Sequence, residues 1–106
     1  MKIKFKNLFN LKHYEVYVIG GCGLIGSQIV KALEEFDASV TVFDLDIKNK
    51  SKNSKTKYVK FNCANEKSIK NFFINYMRKN KCPNVFINAS YPVSKDWKKN
   101  TFKDIN

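Results

Sequence analysis

Three glycines at intervals of three residues, followed by an acid at the end of the next apolar run, carry the clearest chemical signal in this sequence. Gly20, Gly23 and Gly26 lie in "VIGGCGLIGSQIV", between an apolar run and an amphipathic one, and Asp44 follows 18 residues after Gly26. The first turn of a helix carries unpaired N–H groups and partial positive charge, so it binds phosphate where no Cβ atom intervenes. The spacing predicts that Gly20 turns the chain, Gly23 makes room for a diphosphate and Gly26 lets the helix pack against a sheet.

The position of Asp44 adds a second half to this site. It ends the next β-branched run, "SVTVFD", where a carboxylate can accept hydrogen bonds from the ribose hydroxyls of a dinucleotide. An acid at this point repels a 2′-phosphate and therefore favours NAD over NADP. The positive charges of Lys48 and Lys50 would attract a 2′-phosphate, so NADP is kept as the alternative cofactor.

Alternating strands and helices are predicted to position these residues. The strands are expected at 15–20, 39–44, 57–61 and 84–89, the third nearer an edge, with one helix after the glycines and another over 65–80. The predicted core-facing residues are Ile25, Ile29, Leu33 and Phe36 in the first helix, and Ile69, Phe72, Phe73, Tyr76 and Met77 in the second. This order is typical of an α/β, Rossmann-like doubly wound parallel sheet, here truncated after about four strands. Residues 44–56 read as a mobile basic loop with at most one helical turn.

Composition limits the alternatives. The 106 residues form at most one domain, predicted as an incomplete NAD(P)-binding domain over 1–106, and the 43% hydrophobic content fits a globular protein. The net charge of +11 comes almost wholly from dispersed lysines, which favours a solvated surface over a specific nucleic-acid site. No apolar run is long enough for a membrane span. The three cysteines show no metal or disulfide spacing, which predicts a reduced, cytoplasmic setting.

The first half of the chain resembles the opening of the short-chain dehydrogenase/reductase family. The similarity lies in "LFNLKHYEVYVIGGCGLIGSQIVKALEEFDASVTVFDLD", which contains the first strand, the glycine loop and the acid that ends the second strand. Leu24 stands where the commonest branch has glycine, so the spacing is closer to the extended branch. Ile19 replaces the usual threonine.

The resemblance continues to the end of the chain. "FNCANEKSIKNFF" is similar to the segment that contacts adenine, with Asn62 in place of an aspartate, and "VFINASYP" resembles the Asn-Asn-Ala-Gly strand end. "SYPVSKDWKKNTFKDIN" resembles members linked to surface-sugar and flagellin modification. The cofactor-binding residues implied by pattern and resemblance together are Gly20, Gly23, Leu24, Ile25, Gly26, Asp44, Asn62, Cys63, Asn88 and Ala89.

The resemblance covers only the N-terminal part of a family member. Family chemistry depends on a later serine and a Tyr-x-x-x-Lys helix, and neither is found here. Tyr91 and Lys95 have that spacing, but Pro92 and their place directly after a strand argue against a helical pair, so no catalytic residue is assigned.

Two functions remain open at this stage. The resemblance implies an NAD(P)-dependent oxidoreductase that, when complete, moves a hydride to or from a carbonyl or hydroxyl of a small substrate and forms homo-oligomers. The alternative is a non-catalytic nucleotide-binding module.

Overall fold

Four parallel strands and two helices make up the structure, a computed structural model that describes residues 8–53, 55–62 and 66–90. In chain order the elements are β1 (Glu15–Ile19), α1 (Leu24–Glu35), β2 (Ser39–Asp44), β3 (Lys57–Lys60), α2 (Glu66–Lys79) and β4 (Val85–Asn88). The strand order in the sheet is β3-β2-β1-β4, and every pair is parallel. The chain winds outward from β1 to β3 and then returns to the other side of β1. The predicted Rossmann-like α/β fold is confirmed.

The predicted elements are present, with ends that differ by a residue or so. The third strand lies at an edge of the sheet, as its lysines indicated. Asn65, the first residue of the second predicted helix, lies outside the described residues. Within the part of the chain that the structure describes, neither helix combines the length and apolar character needed to cross a bilayer.

One face of the sheet consists of valines and packs against α1. Val30 of the helix contacts side chains from β1 and β2, and each member of this cluster is at most 2% exposed. The cluster contains Val16, Val18, Val30, Val40 and Val42. Short β-branched side chains suit a strand that is buried on both faces, because they pack well on a pleated surface.

The other face is aromatic and packs against α2. Phe43 is fully buried at its centre, with its ring centroid 5.0 Å from that of Tyr17 and 5.2 Å from those of Phe73 and Tyr76. Most of these ring pairs meet edge-on or tilted, the arrangements that aromatic quadrupoles prefer. The predicted apolar side of α2 is confirmed: Ile69, Phe72, Phe73, Tyr76 and Met77 all pack on this face.

The two faces hold their helices at different distances. The backbone of α1 comes within 8 Å of β1 and β2, measured between Cα atoms. For α2, no Cα among the described residues comes that close to a strand. The difference follows from side-chain size, since interaxial distance depends on the residues at the contact.

The predicted core face of α1 is confirmed at Leu33 and wrong at Ile25. Ile25 is 62% exposed, whereas Gly26 and Val30 are the buried residues of the helix and Leu33 is partly buried beside them. The reason is that Gly26 allows the first turn to lie directly on the loop. The sheet-facing stripe therefore begins with a glycine, which a search for apolar side chains passes over.

We expect Phe43→Ala to lower the free energy of unfolding by about 3–5 kcal/mol, the usual cost of removing a buried phenyl ring. A single domain of this size has little stability to spare, so the variant should be largely unfolded at 37 °C. Urea titration followed by circular dichroism measures the change. Phe86→Ala is the matched control, because Phe86 is 54% exposed at the sheet edge and should cost far less. Equal losses in both variants would contradict the described core.

Candidate functional site

The strand-to-helix bend after β1 depends on the backbone of Gly20. Its φ of +76° lies in the left-handed region, which glycine adopts without a steric penalty. The N–H of Gly20 donates to the carbonyl oxygen of Phe43 at 2.8 Å, and the carbonyl of Gly20 accepts from the N–H of Gly23 at 3.2 Å. A Cβ at position 20 would also lie 2.8 Å from the backbone nitrogen of Ser90. The bend is thus crowded by the chain that leaves β4.

Gly26 and Gly21 are required by close packing. A Cβ at Gly26 would lie 2.0 Å from the carbonyl oxygen of Gly20, a contact with backbone that no rotamer change can relieve. A Cβ at Gly21 would lie 2.6 Å from Cγ1 of Val42, inside the valine cluster. The packing role predicted for Gly26 fits this geometry. No role was predicted for Gly21, although a doubled glycine directly after a buried strand was a usable signal.

Gly23 differs from the other three glycines because its open side faces space. A Cβ there would meet no atom closer than the carbonyl oxygen of Gly20, at 3.4 Å. Gly23 is the N-cap of α1, without a side-chain capping hydrogen bond, and the first turn contains no acidic residue. The helix therefore begins with backbone N–H donors that no side chain of its own cap covers.

Leu24 and Ile25 flank this helix start. Their side chains are 88% and 62% exposed, so neither packs over the first turn of the helix. Their backbone N–H groups belong to the first turn, where an α-helix has no internal acceptor to offer. The structure thus presents the predicted Leu24 and Ile25 positions at an open, electropositive helix end.

Asp44 lies directly beside the glycine loop, as the spacing predicted. One carboxylate oxygen, Oδ2, accepts a hydrogen bond from the N–H of Cys22 at 3.0 Å, and Oδ1 accepts one from the N–H of Asp46 at 3.3 Å. These bonds fix the half-buried carboxylate at the carboxyl end of β2. An ionised carboxylate has about four acceptor positions, so it keeps capacity for ligand hydroxyls.

The end of β4 lies on the other side of the bend. The N–H of Ala89 donates to the carbonyl of Ile19 at 2.8 Å, so the strand continues to pair with β1 up to the glycines. The Oδ1 atom of Asn88 accepts hydrogen bonds from the N–H and the hydroxyl of Ser90 at 3.0 and 2.6 Å. These bonds hold the chain where it leaves β4. Asn88 and Ala89 are therefore brought to the loop.

The β3 exit is more remote from the glycines. Asn62 is exposed and follows Phe61, whose N–H donates to the carbonyl of Asp44 at 2.9 Å. It therefore shares the carboxyl edge of the sheet with Asp44, beyond β2. Cys63, the other residue predicted at this position, lies outside the described residues, as do Tyr91 and Lys95.

The thiol of Cys22 sits inside the glycine loop in an environment that keeps it neutral. Partial burial, and then the negative charges of Asp44 and Asp46, raise its pKa above the ordinary cysteine value, while Lys50 acts in the opposite direction. A thiol with a raised pKa is a poor nucleophile at neutral pH. Cys22 thus contributes its backbone N–H to the site.

These features suit a ligand with two chemically different parts. The open space beside Gly23 and the uncapped start of α1 suit a diphosphate, and the Asp44 carboxylate suits a sugar with adjacent hydroxyls. Both parts lie at the carboxyl edge of the sheet, beside the point between β1 and β4 where the winding reverses. Ligands of doubly wound sheets bind at such a point.

Most of the chain matches a known family. A model of the 3-beta hydroxysteroid dehydrogenase/isomerase family matches residues 17–106. The chain belongs to this family. No curated protein sequence matches it significantly.

Solved structures of related enzymes share the fold. A short chain dehydrogenase from Leptospira borgpetersenii with bound NAD+ superposes with a TM-score of 0.70 at 24% identity, over 98% of this chain and 41% of its own. A 4-hydroxyisoleucine dehydrogenase complexed with NADH gives 0.67 at 21%, over 82% and 41%. The epimerase Mth375 from Methanothermobacter thermautotrophicus gives 0.67 at 20%, over 93% and 30%.

This family member therefore spans less than half the length of the solved structures that it matches. The resemblance to short-chain dehydrogenase/reductases that the sequence predicted is confirmed. The narrower resemblance to surface-sugar and flagellin enzymes stays a prediction.

Gly26→Ala should destabilise the fold much more than Gly23→Ala. At position 26 the added methyl meets a backbone carbonyl, so we expect a loss of about 2 kcal/mol or more in unfolding free energy, as for an overpacked core. At position 23 the methyl enters open space, so stability should change little. Thermal melts of the two variants beside the parent chain test this. A destabilised Gly23→Ala with an unaffected Gly26→Ala would refute the geometry of the bend.

Proposed function

We propose that this chain binds NAD and forms the cofactor-binding part of an NAD-dependent oxidoreductase. The observation that carries the proposal is the hydrogen bond from the Cys22 N–H to Asp44, which fixes a sugar-binding carboxylate beside the uncapped start of α1. Family membership and the NAD-bound and NADH-bound structural neighbours support it.

Each predicted cofactor-binding residue has a role in this proposal. The N–H groups at the start of α1 hold the diphosphate, with Gly23 providing the space. Asp44 accepts hydrogen bonds from the adenosine ribose. Asn62 and Cys63 border the adenine, as the family resemblance implies, and Asn88 and Ala89 form the opposite wall of the site.

Asp44 also makes NAD the preferred cofactor. A 2′-phosphate would approach a carboxylate that two backbone N–H groups already hold in place, and the like charges would repel. Lys50 lies close enough to influence Cys22 electrostatically, so it offsets part of this repulsion. NADP is therefore the weaker but accessible ligand.

The reaction of the whole protein is proposed by relationship. Bound NAD supplies a hydride acceptor or donor, and the residues of this chain bind and orient it. The substrate of the complete enzyme is proposed to be a small molecule with a hydroxyl or carbonyl group. The cytoplasmic location and the homo-oligomeric state stay predictions.

Titration with NADH, followed by its fluorescence, tests cofactor binding. Asp44→Ala removes hydrogen bonds to a charged group and should weaken binding at least about tenfold. Asp44→Asn keeps an acceptor for the Cys22 N–H but removes the charge. It should therefore reduce the difference in binding affinity between NADH and NADPH. Glu35→Ala is the control, because Glu35 is an exposed acid on α1. The absence of saturable NADH binding by the folded parent chain would disprove the proposal.

Measurement of turnover distinguishes an oxidoreductase from a non-catalytic nucleotide-binding module. A chain that binds NADH with the expected Asp44 dependence but reduces no carbonyl compound fits the non-catalytic alternative. Carbonyl-dependent oxidation of NADH by the same preparation would favour the enzyme.

Alkylation of Cys22 should report on the occupied site. A dinucleotide held at the glycine loop shields this thiol, so saturating NADH should slow its reaction with iodoacetamide. The raised pKa predicts that the unliganded rate increases at a higher pH than for an ordinary cysteine, because the thiolate forms late. Cys82 is the internal control, since it is exposed near the opposite edge of the sheet. Peptide mass spectrometry separates the two, and equal protection of both would argue against binding at the loop.

A further inference from the structure

The connection from β2 to β3 lacks the helix that commonly covers a parallel crossover. Its described residues, 45–53 and 55–56, contain no helix, and one of its two large apolar side chains, Leu45, is 59% exposed. A connection with so little apolar burial needs another source of order. In this protein the connection is ordered by hydrogen bonds to Glu34 of α1.

Glu34 holds this connection against the first helix. The hydroxyl of Ser51 donates to Oε2 of Glu34 at 2.7 Å, and the hydroxyl of Thr56 donates to the same oxygen. The N–H of Ser51 also donates to the hydroxyl of Tyr58 in β3, at 2.7 Å. Two hydroxyls on one half-buried carboxylate form charge-assisted hydrogen bonds, which are stronger than neutral ones.

This anchor borders the proposed cofactor site. A cavity of about 590 Å³ lies between α1 and the connection. Its lining includes Glu34, Ser51 and Lys50, and also Gly21 of the glycine loop. The connection begins directly after Asp44. Contacts that fix residues 49–53 therefore also restrict the conformation of the chain next to the Asp44 carboxylate.

We propose that Glu34 is a positioning residue for the adenosine end of the dinucleotide. It acts through the connection, which its hydrogen bonds to Ser51 and Thr56 hold so that Asp44 and Lys50 stay at the mouth of the site. The inference rests on the proposed function and adds a residue that the glycine-loop pattern does not include.

The positioning role predicts that loss of Glu34 lowers the fraction of molecules whose connection is in the binding geometry. If the released connection is in the binding geometry one tenth of the time, the apparent dissociation constant rises about tenfold. We expect this rise for NADH and for ADP-ribose in Glu34→Ala. We also expect faster amide hydrogen exchange over residues 49–56.

Variants of the full chain test the role. Glu34→Gln keeps an acceptor oxygen for the two hydroxyls and should restore much of the affinity and the exchange protection. Glu35→Ala removes the neighbouring exposed acid and should change neither. Ser51→Ala combined with Thr56→Val should reproduce Glu34→Ala, and adding Glu34→Ala to that pair should have little further effect, because the three side chains form one unit.

The outcomes separate this proposal from the proposed function. Faster exchange over 49–56 with unchanged NADH affinity would make Glu34 a purely structural residue and overturn the positioning role. Unchanged exchange and affinity in a folded Glu34→Ala would overturn the anchor as well. Both results leave NADH binding by the parent chain intact. A parent chain that binds no NADH refutes the proposed function and the positioning role together, while the exchange data still decide whether the anchor exists.

Discussion

The contact between the carbonyl oxygen of Gly20 and the backbone of Gly26 is the constraint on which the site depends. A single Cβ at position 26 would have to lie 2.0 Å from that oxygen. The same Gly20 turns at positive φ, bonds to the end of β2 and lies under the backbone of Ser90. Three strand ends and one helix start therefore meet within a few ångströms of backbone, which leaves the first turn of α1 exposed at the carboxyl edge.

The acid that completes the site is fixed by the same crowding. Asp44 reaches the loop because β2 pairs with β1 in register up to Ile19 and Phe43, one residue before each chain turns. The Cys22 N–H then lies within hydrogen-bonding distance of the carboxylate. The pairing of two buried strands thus sets the separation between the diphosphate and sugar parts of the site.

The features that were predictable from the sequence are those that follow a recurring pattern. Glycines at a strand end, an acid at the next strand end and an apolar stripe on α2 each have a characteristic spacing, even though Asp44 bonds to a residue 22 positions away. The Glu34 anchor was not predictable, because hydroxyls in a polar loop give no periodic signal. The start of the sheet-facing stripe of α1 was misplaced because it lies at Gly26, which no hydrophobicity pattern counts, whereas Leu33 was placed correctly.

The unequal faces of the sheet have a mechanical consequence. On the valine side the helix backbone lies close to the strands, and even Gly21 is within reach of Val42. An added methylene on that side would have no soft layer to deform and would push on the glycine bend. On the aromatic side no Cα of α2 among the described residues lies within 8 Å of a strand, so side chains alone connect that helix to the sheet. The helix whose placement matters most for the proposed site therefore lies on the face where backbone packs closest to backbone.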